Sequence, residues 1–527
     1  MSDFLDRRSF ASGALAAGLL TAMPAAAAPP GPVAKTRQGH ARGFVRNGAA
    51  VFLGLRYGAD TSGARRFRPP APPPAWRGVR DATKPGQRAP QSPSPVVRHP
   101  IVDYFAGNRT DEIIAMPERI GEDCLVANVV TPAVDRGRRP VMVYIHGGGF
   151  ASGTGLVATL GDRFAVEEDV VLVTLNHRLG ALGYMYLGGV SSDFAVGNPG
   201  MLDLVAALRW VRDNIAAFGG DPAKVTVFGE SGGGVKIGLL LGMPQAQGLF
   251  CGAIIQSGLY PDPVAPAEAT MRTRAFMDRV GAADVAALQT LPFEKFVGPN
   301  MPGNLPVADA RSLAPNPWAK APETAASIPL VIGYCKDELT LFALARPDLF
   351  KLAWPDVAGR LSADDLGVPA DAAEAIVAAY RAAFPHDTPS DSYFRISSDA
   401  SFGRAMVTMA DRKAKQRPPV YFYRMELDTK LPPGLRAMHT AELPLTIGLS
   451  PRPEADALTK QISGAWAAFA RTGNPNHAAM PMWRPYDTSG AECMIFDRSV
   501  RSGPDPQAAP RALLYAALAN RKQYNPL

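Results

Sequence analysis

The sequence is poor in cysteine and carries none of the patterns that cysteine and histidine form around metals. Four cysteines among 527 residues include no CxxC pair and no Cys/His cluster, so no metal site is predicted. An even number permits disulfides in an exported protein. Two of the four lie in apolar, strand-like runs, where a buried free thiol is the commoner state. The four are Cys124, Cys251, Cys335 and Cys493, and the two in apolar runs are Cys251 and Cys335.

Long apolar runs are also missing beyond the N-terminal segment. No later stretch reaches the roughly 20 apolar residues that a membrane helix needs, so stable membrane insertion is not expected. Hydrophobic residues make up 47% of the chain and charged residues 20%, as in ordinary soluble globular proteins. With 50 glycines and 50 prolines, the chain is rich in loops but below the level that indicates disorder.

Acidic residues are scarce in one region. Residues 35–100 carry 13 Lys/Arg against Asp60 and Asp81, a net charge of +11, whereas the whole chain has +7. We interpret this segment as a solvated, Arg-rich face; the alternative is a basic surface that attracts anionic substrates. No nucleic-acid-binding motif accompanies it, so no binding to nucleic acid is inferred.

The N-terminal residues have the layout of an export signal. The sequence DRRSF (6–10) precedes a mild apolar run at 11–23 and an Ala-rich segment at 25–28. A charged start, an apolar stretch and small residues for cleavage are typical of a secretory signal peptide, and paired arginines favour the twin-arginine type. We therefore predict a signal peptide at residues 1–28, a mature domain at 29–527, and a bacterial protein that is periplasmic or secreted.

Short apolar runs alternate with helical patterns along the chain. The runs are continuously hydrophobic, which predicts strands buried on both faces. Between two of them, Leu204, Leu208, Val211, Ile215 and Phe218 follow the spacing of an amphipathic helix. This alternation predicts an α/β fold with a mostly parallel sheet covered on both sides, in one domain with long excursions. The runs are 140–145, 170–175, 225–228, 253–256, 329–333, 420–423 and 493–496, and further helical patterns lie near 268–280, 372–384, 456–471 and 510–521.

A serine between glycines follows one of these runs. Residues 229–233, GESGG, fit the pattern G-x-S-x-G, with a strand-like run before them and a helical pattern after them. In that context the serine is presented as a nucleophile on a tight strand-to-helix turn. The helix N-terminus adds N–H donors and partial positive charge where an oxyanion would form. The sequence therefore predicts Ser231 as a nucleophile rather than as one serine in a structural turn.

A serine nucleophile needs a base, and the base needs an acid that orients it. The order along the chain in this kind of fold is Ser, Asp/Glu, His, which leaves His386, His439 and His477 of the seven histidines. His439 is favoured because it follows a strand-like run and a Pro-Pro-Gly break. For the acid, Asp337 and Glu338 both follow a buried run at its C-terminal end, where catalytic groups gather. The pattern does not decide which of these two residues orients the base.

Three glycines follow another strand-like run. The segment HGGGF (146–150) matches the loop that supplies backbone N–H donors to an oxyanion. Glycine lets the backbone approach a substrate carbonyl with no Cβ in the way. A Gly-rich turn could also hold phosphate, but no Lys-Ser/Thr pair follows. Two separate motifs thus predict the same acyl-transfer chemistry.

Taken together, the motifs resemble those of the type-B carboxylesterases, the cholinesterase and para-nitrobenzyl esterase group. The resemblance runs from about residue 39 to residue 486. It implies an α/β-hydrolase fold, with a mostly parallel, twisted central sheet, helices on both faces and long insertions over the active site. The motifs that carry it are EDCLVANV (122–129), HGGGF (146–150), NHRLGALGY (176–184), GNPGMLD (197–203), FGGDPAKVTVFGESGGG (218–234), QSG (256–258) and FARTGNPN (469–476).

The resemblance implies a role for each remaining site residue. It implies Glu338 as the acid, since the family uses the Glu of an Asp-Glu pair. It implies His439 as the base, since the family's His stands in an H-x-x-E-[IL]-P-like stretch. The oxyanion donors that it implies are the N–H groups of Gly148, Gly149 and Gly232, and it implies no cofactor.

The sequence departs from the family pattern at several positions. Gly232 stands where Ala is usual, which keeps the N–H donor but loosens the turn, and Thr440 follows the base where Gly is common. Ala89 stands where the family has the disulfide partner of Cys124, so the resemblance implies that Cys124 is unpaired and that 90–123 lacks this staple. The same segment has no Trp, so the cation–π site for choline is not expected.

Lys236 stands where the resemblance would place a small Ser. Five helical positions after Ser231 correspond to about 140° around the helix, so its side chain is expected to point away from the nucleophile. We predict an ion pair behind the turn, in preference to contact with substrate.

The sequence as a whole predicts a serine carboxylesterase that hydrolyses small-molecule esters through an acyl-enzyme, with no cofactor. A thioesterase or an amidase with the same machinery is the alternative within enzymology. A non-catalytic binding module is the alternative of another class, and it would have lost the serine or the histidine. The basic segment and the missing Trp favour neutral or anionic esters. No oligomeric state is predicted.

Overall fold

An eleven-stranded sheet forms the centre of the fold. The computed structural model describes residues 31–93, 97–298, 301, 303, 305–363, 366–488, 491–519 and 521. From Pro32 the chain forms one compact unit, Pro32–Leu527. The predicted signal peptide, 1–28, lies outside the described residues.

The strands and helices of the described residues alternate along most of the chain. The strands are β1 (Val33–Lys35), β2 (His40–Arg42), β3 (Phe44–Arg46), β4 (Ala49–Arg56), β5 (Val79–Asp81), β6 (Val126–Thr131), β7 (Arg139–Ile145), β8 (Val171–Leu175), β9 (Gly220–Glu230), β10 (Gly252–Gln256), β11 (Leu330–Cys335), β12 (Val420–Met425), β13 (Glu492–Phe496) and β14 (Arg501–Pro504). The helices are α1 (Pro100–Phe105), α2 (Thr110–Ile114), α3 (Asp162–Glu167), α4 (Gly180–Tyr184), α5 (Pro199–Asn214), α6 (Gly232–Leu241), α7 (Pro266–Val280), α8 (Val285–Thr290), α9 (Leu339–Phe342), α10 (Trp354–Ala363), α11 (Ala370–Ala383), α12 (Pro389–Ser398), α13 (Arg404–Lys413), α14 (Leu443–Thr446), α15 (Asp456–Thr472) and α16 (Ala508–Ala517).

The middle of the large sheet is parallel and its edges are antiparallel. Strand order is β14-β13-β12-β11-β10-β9-β7-β8-β6-β4-β3, and a separate sheet has the order β1-β2-β5. All neighbours from β13 to β8 run parallel, whereas β14, β6, β4 and β3 pair antiparallel with their neighbours. The carboxyl ends of the parallel strands therefore meet at one edge of the sheet, where α/β folds place their ligands.

Side chains of each central strand enter two different hydrophobic cores. Val141 and Val143 of β7 join a core that also contains Leu204 of α5. Met142 of the same strand joins a second core that contains Trp466 of α15. A strand packed on both faces needs apolar residues at every position, which is why the runs are continuous. No helix among the residues described is long and apolar enough to cross a bilayer.

The predicted α/β fold is confirmed, and each of the seven apolar runs lies wholly or almost wholly within a strand. The bounds differ at β9, which begins at Gly220 rather than at 225 because the amphipathic helix ends in a 3-10 turn, Ile215–Phe218, and Gly219 (φ 79°) reverses the chain. The prediction of burial is wrong for Cys251, which is exposed just before β10.

Five of the 13 basic residues of segment 35–100, all of them arginines, pair with acids from other parts of the chain. The pair between Arg66 and Glu122 is buried, so salt screens the attraction between its two charges much less than it screens an exposed pair. The uneven charge of the sequence thus holds the N-terminal strands to the rest of the fold. The pairs are Arg37–Asp213, Arg46–Asp162, Arg56–Asp123, Arg66–Glu122 and Arg98–Asp111.

Candidate active site

Ser231 lies at the sharp turn between β9 and α6. Its backbone has φ 57° and ψ −125°, a conformation that costs a non-glycine residue energy and that persists where the surroundings enforce it. Its N–H donates to the carbonyl of Gln256 at 2.9 Å. A Cβ on Gly233 would lie 2.0 Å from the carbonyl oxygen of Ile145. The neighbouring strand β7 thus requires glycine after the turn, as the G-x-S-x-G pattern predicts.

The glycine loop after β7 lies against this turn. Gly148 and Gly149 have φ of 83° and 58°, values at which glycine is strongly favoured. Among the described residues, none accepts a hydrogen bond from the N–H of Gly148 or Gly149. A Cβ on Gly147 would lie 3.3 Å from the Cβ of Ser231. The loop therefore presents unused backbone donors beside the serine.

The structure brings Glu338 and His439 together. The Nδ1 of His439 lies 2.5 Å from Oε2 of Glu338, and the other oxygen of Glu338 accepts the N–H of Cys335 at 2.7 Å. Both side chains are buried. Thr440 adopts φ 73° and its hydroxyl donates to the carbonyl of His439. This left-handed conformation is uncommon for a β-branched residue, and glycine, which is common at this position in the family, adopts it without steric cost.

The other nitrogen of His439 faces the turn that carries Ser231. Its Nε2 lies 3.2 Å from Oε1 of Glu230, the residue before the serine. Burial alone would lower the pKa of His439, but the charges of Glu230 and Glu338 and the hydrogen bond to Glu338 raise it to about 9. Burial raises the pKa of Glu230 well above its usual value. Neither Nε2 of His439 nor Oε1 of Glu230 has a hydrogen-bond partner among the described residues, and the two groups are coupled through their charges.

A third carboxylate lies close behind the histidine. Glu442 accepts hydrogen bonds from the hydroxyl of Tyr423 at 2.9 Å and from the thiol of Cys335 at 2.8 Å. Burial, followed by the charge of Glu338, raises its pKa. Sequence reasoning missed both Glu230 and Glu442 as neighbours of the base, although both belong to the motifs around Ser231 and His439.

Two aromatic rings pack against the ring of His439. The ring centroids of Phe342 and Phe402 lie 5.1 Å and 4.7 Å from that of His439. Phe342 is 37% exposed, so its ring is accessible to solvent. Phe402 belongs to a π-helical turn, Asp399–Gly403, between α12 and α13, and such turns redirect side chains within a helix. No sequence pattern indicated either ring.

Lys236 contacts the glycine loop and not an acid. Its Nζ donates to the carbonyl oxygens of Gly149 at 2.6 Å and His146 at 3.3 Å, and it lies 5.2 Å from the ring centroid of Phe150. No carboxylate in the described part of the chain lies within ion-pair distance of it. Burial lowers its pKa to about 7. The predicted ion pair is therefore wrong, because backbone carbonyls are the partners of this ammonium group.

Two histidines stack beside Lys236. The rings of His146 and His177 lie 4.9 Å apart and are nearly parallel. Burial, and then the charge of Lys236, lowers the pKa of His146 to about 3 and lowers that of His177 well below its usual value. Both rings are therefore neutral at physiological pH.

The alternative candidates for base and acid lie elsewhere. His386 is exposed after α11, and His477 bonds the carbonyl of Gln461 at 2.9 Å. Asp337 pairs with Lys336 at 3.1 Å and accepts the N–H of Ala437. Asp337 therefore anchors the histidine loop, and the adjacent Glu338 contacts the ring.

All four cysteines are free thiols. Segment 90–123 is instead held by hydrogen bonds: the hydroxyl of Tyr104 donates to the carbonyl of Ala441 at 2.8 Å, and Arg109 binds Asp162 at 2.8 Å. Because Ala441 follows His439 by two residues, the segment is connected directly to the loop of the histidine.

Comparison with known proteins shows which protein family the chain belongs to. The model of the carboxylesterase family matches residues 30–509. The chain is 33% identical to the para-nitrobenzyl esterase of Bacillus subtilis, over 92% of this chain and 98% of that protein. It is also 33% identical to the phenmedipham hydrolase of Pseudarthrobacter oxydans, over 86% of this chain and 92% of that protein.

Solved structures agree with the sequence relatives. The carboxylesterase of Geobacillus stearothermophilus at pH 6.2 superposes with a TM-score of 0.76 and 35% identity, over 92% of this chain and 99% of that chain. At this TM-score the two chains share the same fold. The chain belongs to the carboxylesterase family, with the α/β-hydrolase fold, and is a serine carboxylic-ester hydrolase.

Proposed function

We propose that Ser231, His439 and Glu338 hydrolyse carboxylic esters through an acyl-enzyme. The observation that carries the proposal is the position of the His439 ring, with Nδ1 on Glu338 and Nε2 facing the turn of Ser231. A base held in this way has one fixed tautomer and one free nitrogen for proton transfer.

Each step of the proposed reaction uses a group in this site. The Oγ of Ser231 bonds to the ester carbonyl carbon while Nε2 of His439 takes its proton. The carbonyl oxygen becomes an oxyanion, which the N–H groups of Gly148, Gly149 and Gly232 stabilise. The tetrahedral adduct collapses, the C–O bond to the alcohol breaks, and His439 protonates the leaving oxygen. Water then repeats the sequence and releases the acid.

Ser231→Ala tests the nucleophile. Turnover of a short-chain p-nitrophenyl ester is expected to fall by about a millionfold, since removing the serine of a triad abolishes its combined action. A fluorophosphonate probe should label the wild-type protein on the peptide containing Ser231 and leave the variant unlabelled. Undiminished turnover in a folded variant would refute the assignment. Matched ester, thioester and amide substrates measured with the wild type separate esterase from thioesterase and amidase activity.

We propose further that the preferred substrates are neutral esters. The carboxylates Glu230, Glu338 and Glu442 surround the base and disfavour an anionic group nearby, while five of the eleven arginines of the basic segment are engaged in ion pairs. The exposed ring of Phe342 offers an apolar surface beside His439. A panel of neutral, carboxylate-bearing and cationic esters at low and high salt tests this. A higher kcat/KM for the carboxylate-bearing ester that falls with salt would contradict it.

The proposal of export rests on the order of residues at the N-terminus alone. We propose that residues 1–28 direct the chain to the periplasm or beyond through the twin-arginine route. Replacing Arg7 and Arg8 by Lys in the full chain should move esterase activity from the periplasmic to the cytoplasmic fraction. An unchanged distribution would contradict this route.

A further inference from the structure

Each carbonyl group of the glycine loop (146–150) has a hydrogen-bond partner, whereas the N–H groups of Gly148 and Gly149 have none among the described residues. The carbonyl of Gly148 accepts the N–H of Ser152 at 3.1 Å, and that of Phe150 accepts the N–H of Gly180 at 2.7 Å. The carbonyl of Gly147 bonds Nδ1 of His146 at 2.9 Å. The two remaining carbonyls, those of His146 and Gly149, both accept from Lys236.

The two contacts of Lys236 bracket the proposed oxyanion donors. The N–H of Gly148 belongs to the peptide 147–148, and that of Gly149 to the peptide 148–149. The carbonyl of His146 belongs to the peptide before them and that of Gly149 to the peptide after them. Because a peptide group is planar, fixing a carbonyl on each side limits the rotation of both donors between them.

Gly232 makes this contact possible. A Cβ on Gly232 would lie 2.3 Å from the oxygen and 2.5 Å from the nitrogen of Gly149, so Ala, usual in the family, does not fit against the loop in its present position. Lys236 stands four residues after Gly232 in α6, and residues at this spacing share one helix face. The helix therefore meets the loop with a glycine at its first turn and a lysine one turn further on.

We propose that Lys236 is a positioning residue of the oxyanion hole, which holds the peptides on either side of the Gly148 and Gly149 donors and aims their N–H groups at the reacting carbonyl. The inference rests on the proposed function of those donors. Lys236 is fully buried, and its Nζ lies over the ring of Phe150, 5.2 Å from the ring centroid, so its proposed role is carried by the loop rather than by contact with the substrate. Both the ammonium and the neutral amine carry N–H donors, so either form can hold the carbonyls.

Lys236→Met tests the inference, because methionine keeps the length of the stem and removes the donors. The donors of an oxyanion hole act in the transition state, so kcat is expected to fall about 10- to 100-fold, with KM changed less than about twofold. The affinity for a trifluoromethyl ketone, which forms a tetrahedral adduct with the serine, should fall by the same factor as kcat/KM. Active-site titration by the p-nitrophenol burst gives kcat per folded site.

Lys413→Met is the matched control. Lys413 is also a fully buried lysine that donates to a backbone carbonyl, that of Ala325 at 2.9 Å, and Ala325 precedes β11 at the opposite end of the sheet from Glu338. Its replacement should leave kcat unchanged. Both variants leave buried carbonyls without their donor, so both thermal midpoints should fall, whereas only Lys236→Met should lose kcat. A Lys236→Met enzyme with wild-type kcat and inhibitor affinity would overturn the inference.

A double-mutant cycle with Gly232→Ala tests the route through Gly149. In the wild type, the added methyl group meets a loop that Lys236 holds in place, so kcat should fall. In the Lys236→Met background the loop can retreat, and the same methyl group should have an effect at least threefold smaller. Strictly multiplicative effects would refute the coupling. If Ser231→Ala kept its activity, the proposed function would fail instead, so the two failures are distinguishable.

Discussion

Ser231 lies between two buried clusters of opposite charge, since Glu230 of one cluster precedes it in the chain and Lys236 of the other follows it. One, the carboxylate cluster, consists of Glu230, Glu338 and Glu442 around His439. The other, the cationic cluster, consists of Lys236 with the stacked rings of His146 and His177. Both contain buried imidazoles, yet the pKa of His439 is raised to about 9 and that of His146 is lowered to about 3.

The comparison separates burial from charge. Burial alone lowers the pKa of every histidine in these clusters, since a low dielectric disfavours the imidazolium. At His439 the neighbouring carboxylates outweigh burial, so the pKa of this histidine is raised instead of lowered. The histidine proposed to accept a proton is thus surrounded by acids, whereas His146 and His177 are kept neutral by burial and, after it, by the charge of Lys236.

Glu338→Gln breaks the carboxylate cluster at its contact with Nδ1, and the largest effect is expected there. The amide can hold the ring in the wrong tautomer and cannot stabilise the imidazolium, so kcat should fall roughly 1,000- to 10,000-fold. Steady-state hydrolysis of a p-nitrophenyl ester measures it. Asp337→Asn is the matched control, since this neighbour contacts Lys336 and the Ala437 N–H rather than the ring. A comparable loss in Asp337→Asn would contradict the assignment of the acid.

Glu230→Gln should move the pH profile of kcat/KM. Only neutral His439 accepts the proton of Ser231, so activity rises as the pH rises through the pKa of this histidine. The charge of Glu230 raises that pKa, and removing it should shift the rising limb by about one to two pH units towards lower pH. Glu442→Gln, whose charge contributes less, should shift the limb less. A shift to higher pH would show that Glu230 does not stabilise the imidazolium.

His146→Gln tests the cationic cluster through the free energy of unfolding rather than through the rate of hydrolysis. Folded His146 binds a proton near pH 3 and the unfolded chain near pH 6.5, so the unfolded state binds more protons between these values and acidification favours unfolding. Lowering the pH from 6.5 to 5 should cost the wild type about 2 kcal/mol from this group. Denaturant unfolding at both pH values should show a smaller acid loss in His146→Gln. The exposed His386→Gln should behave as wild type; equal losses in all three proteins would contradict the prediction.

The parts of the site that lie within one motif were readable from the sequence. The strand before Ser231, the helix after it and the glycine loop follow from local patterns. Local patterns could not decide between Asp337 and Glu338 as the acid, because both residues follow β11. Only the position of the His439 loop distinguishes them. The resemblance to the family supplied that choice.

The features that sequence reasoning missed depend on contacts between distant segments. Lys236 was expected to bind an acid, since periodicity gives the direction of a side chain but not what lies opposite. Its actual partners come from a loop almost ninety residues earlier, brought close by the pairing of β7 with β9. The π-helical turn that places Phe402 was not predicted, because its extra residue is visible only in the pattern of backbone hydrogen bonds.

The free thiols described above have a practical consequence. No covalent cross-link joins any of the four cysteines, so the fold is indifferent to the redox state of its surroundings. Segment 90–123, which a bridge would fasten in a stapled relative, is anchored here by Tyr104 and Arg109 through bonds that no reductant can cut. The enzyme can therefore be produced and stored under strong reducing conditions, which also protect the exposed Cys251 from oxidation.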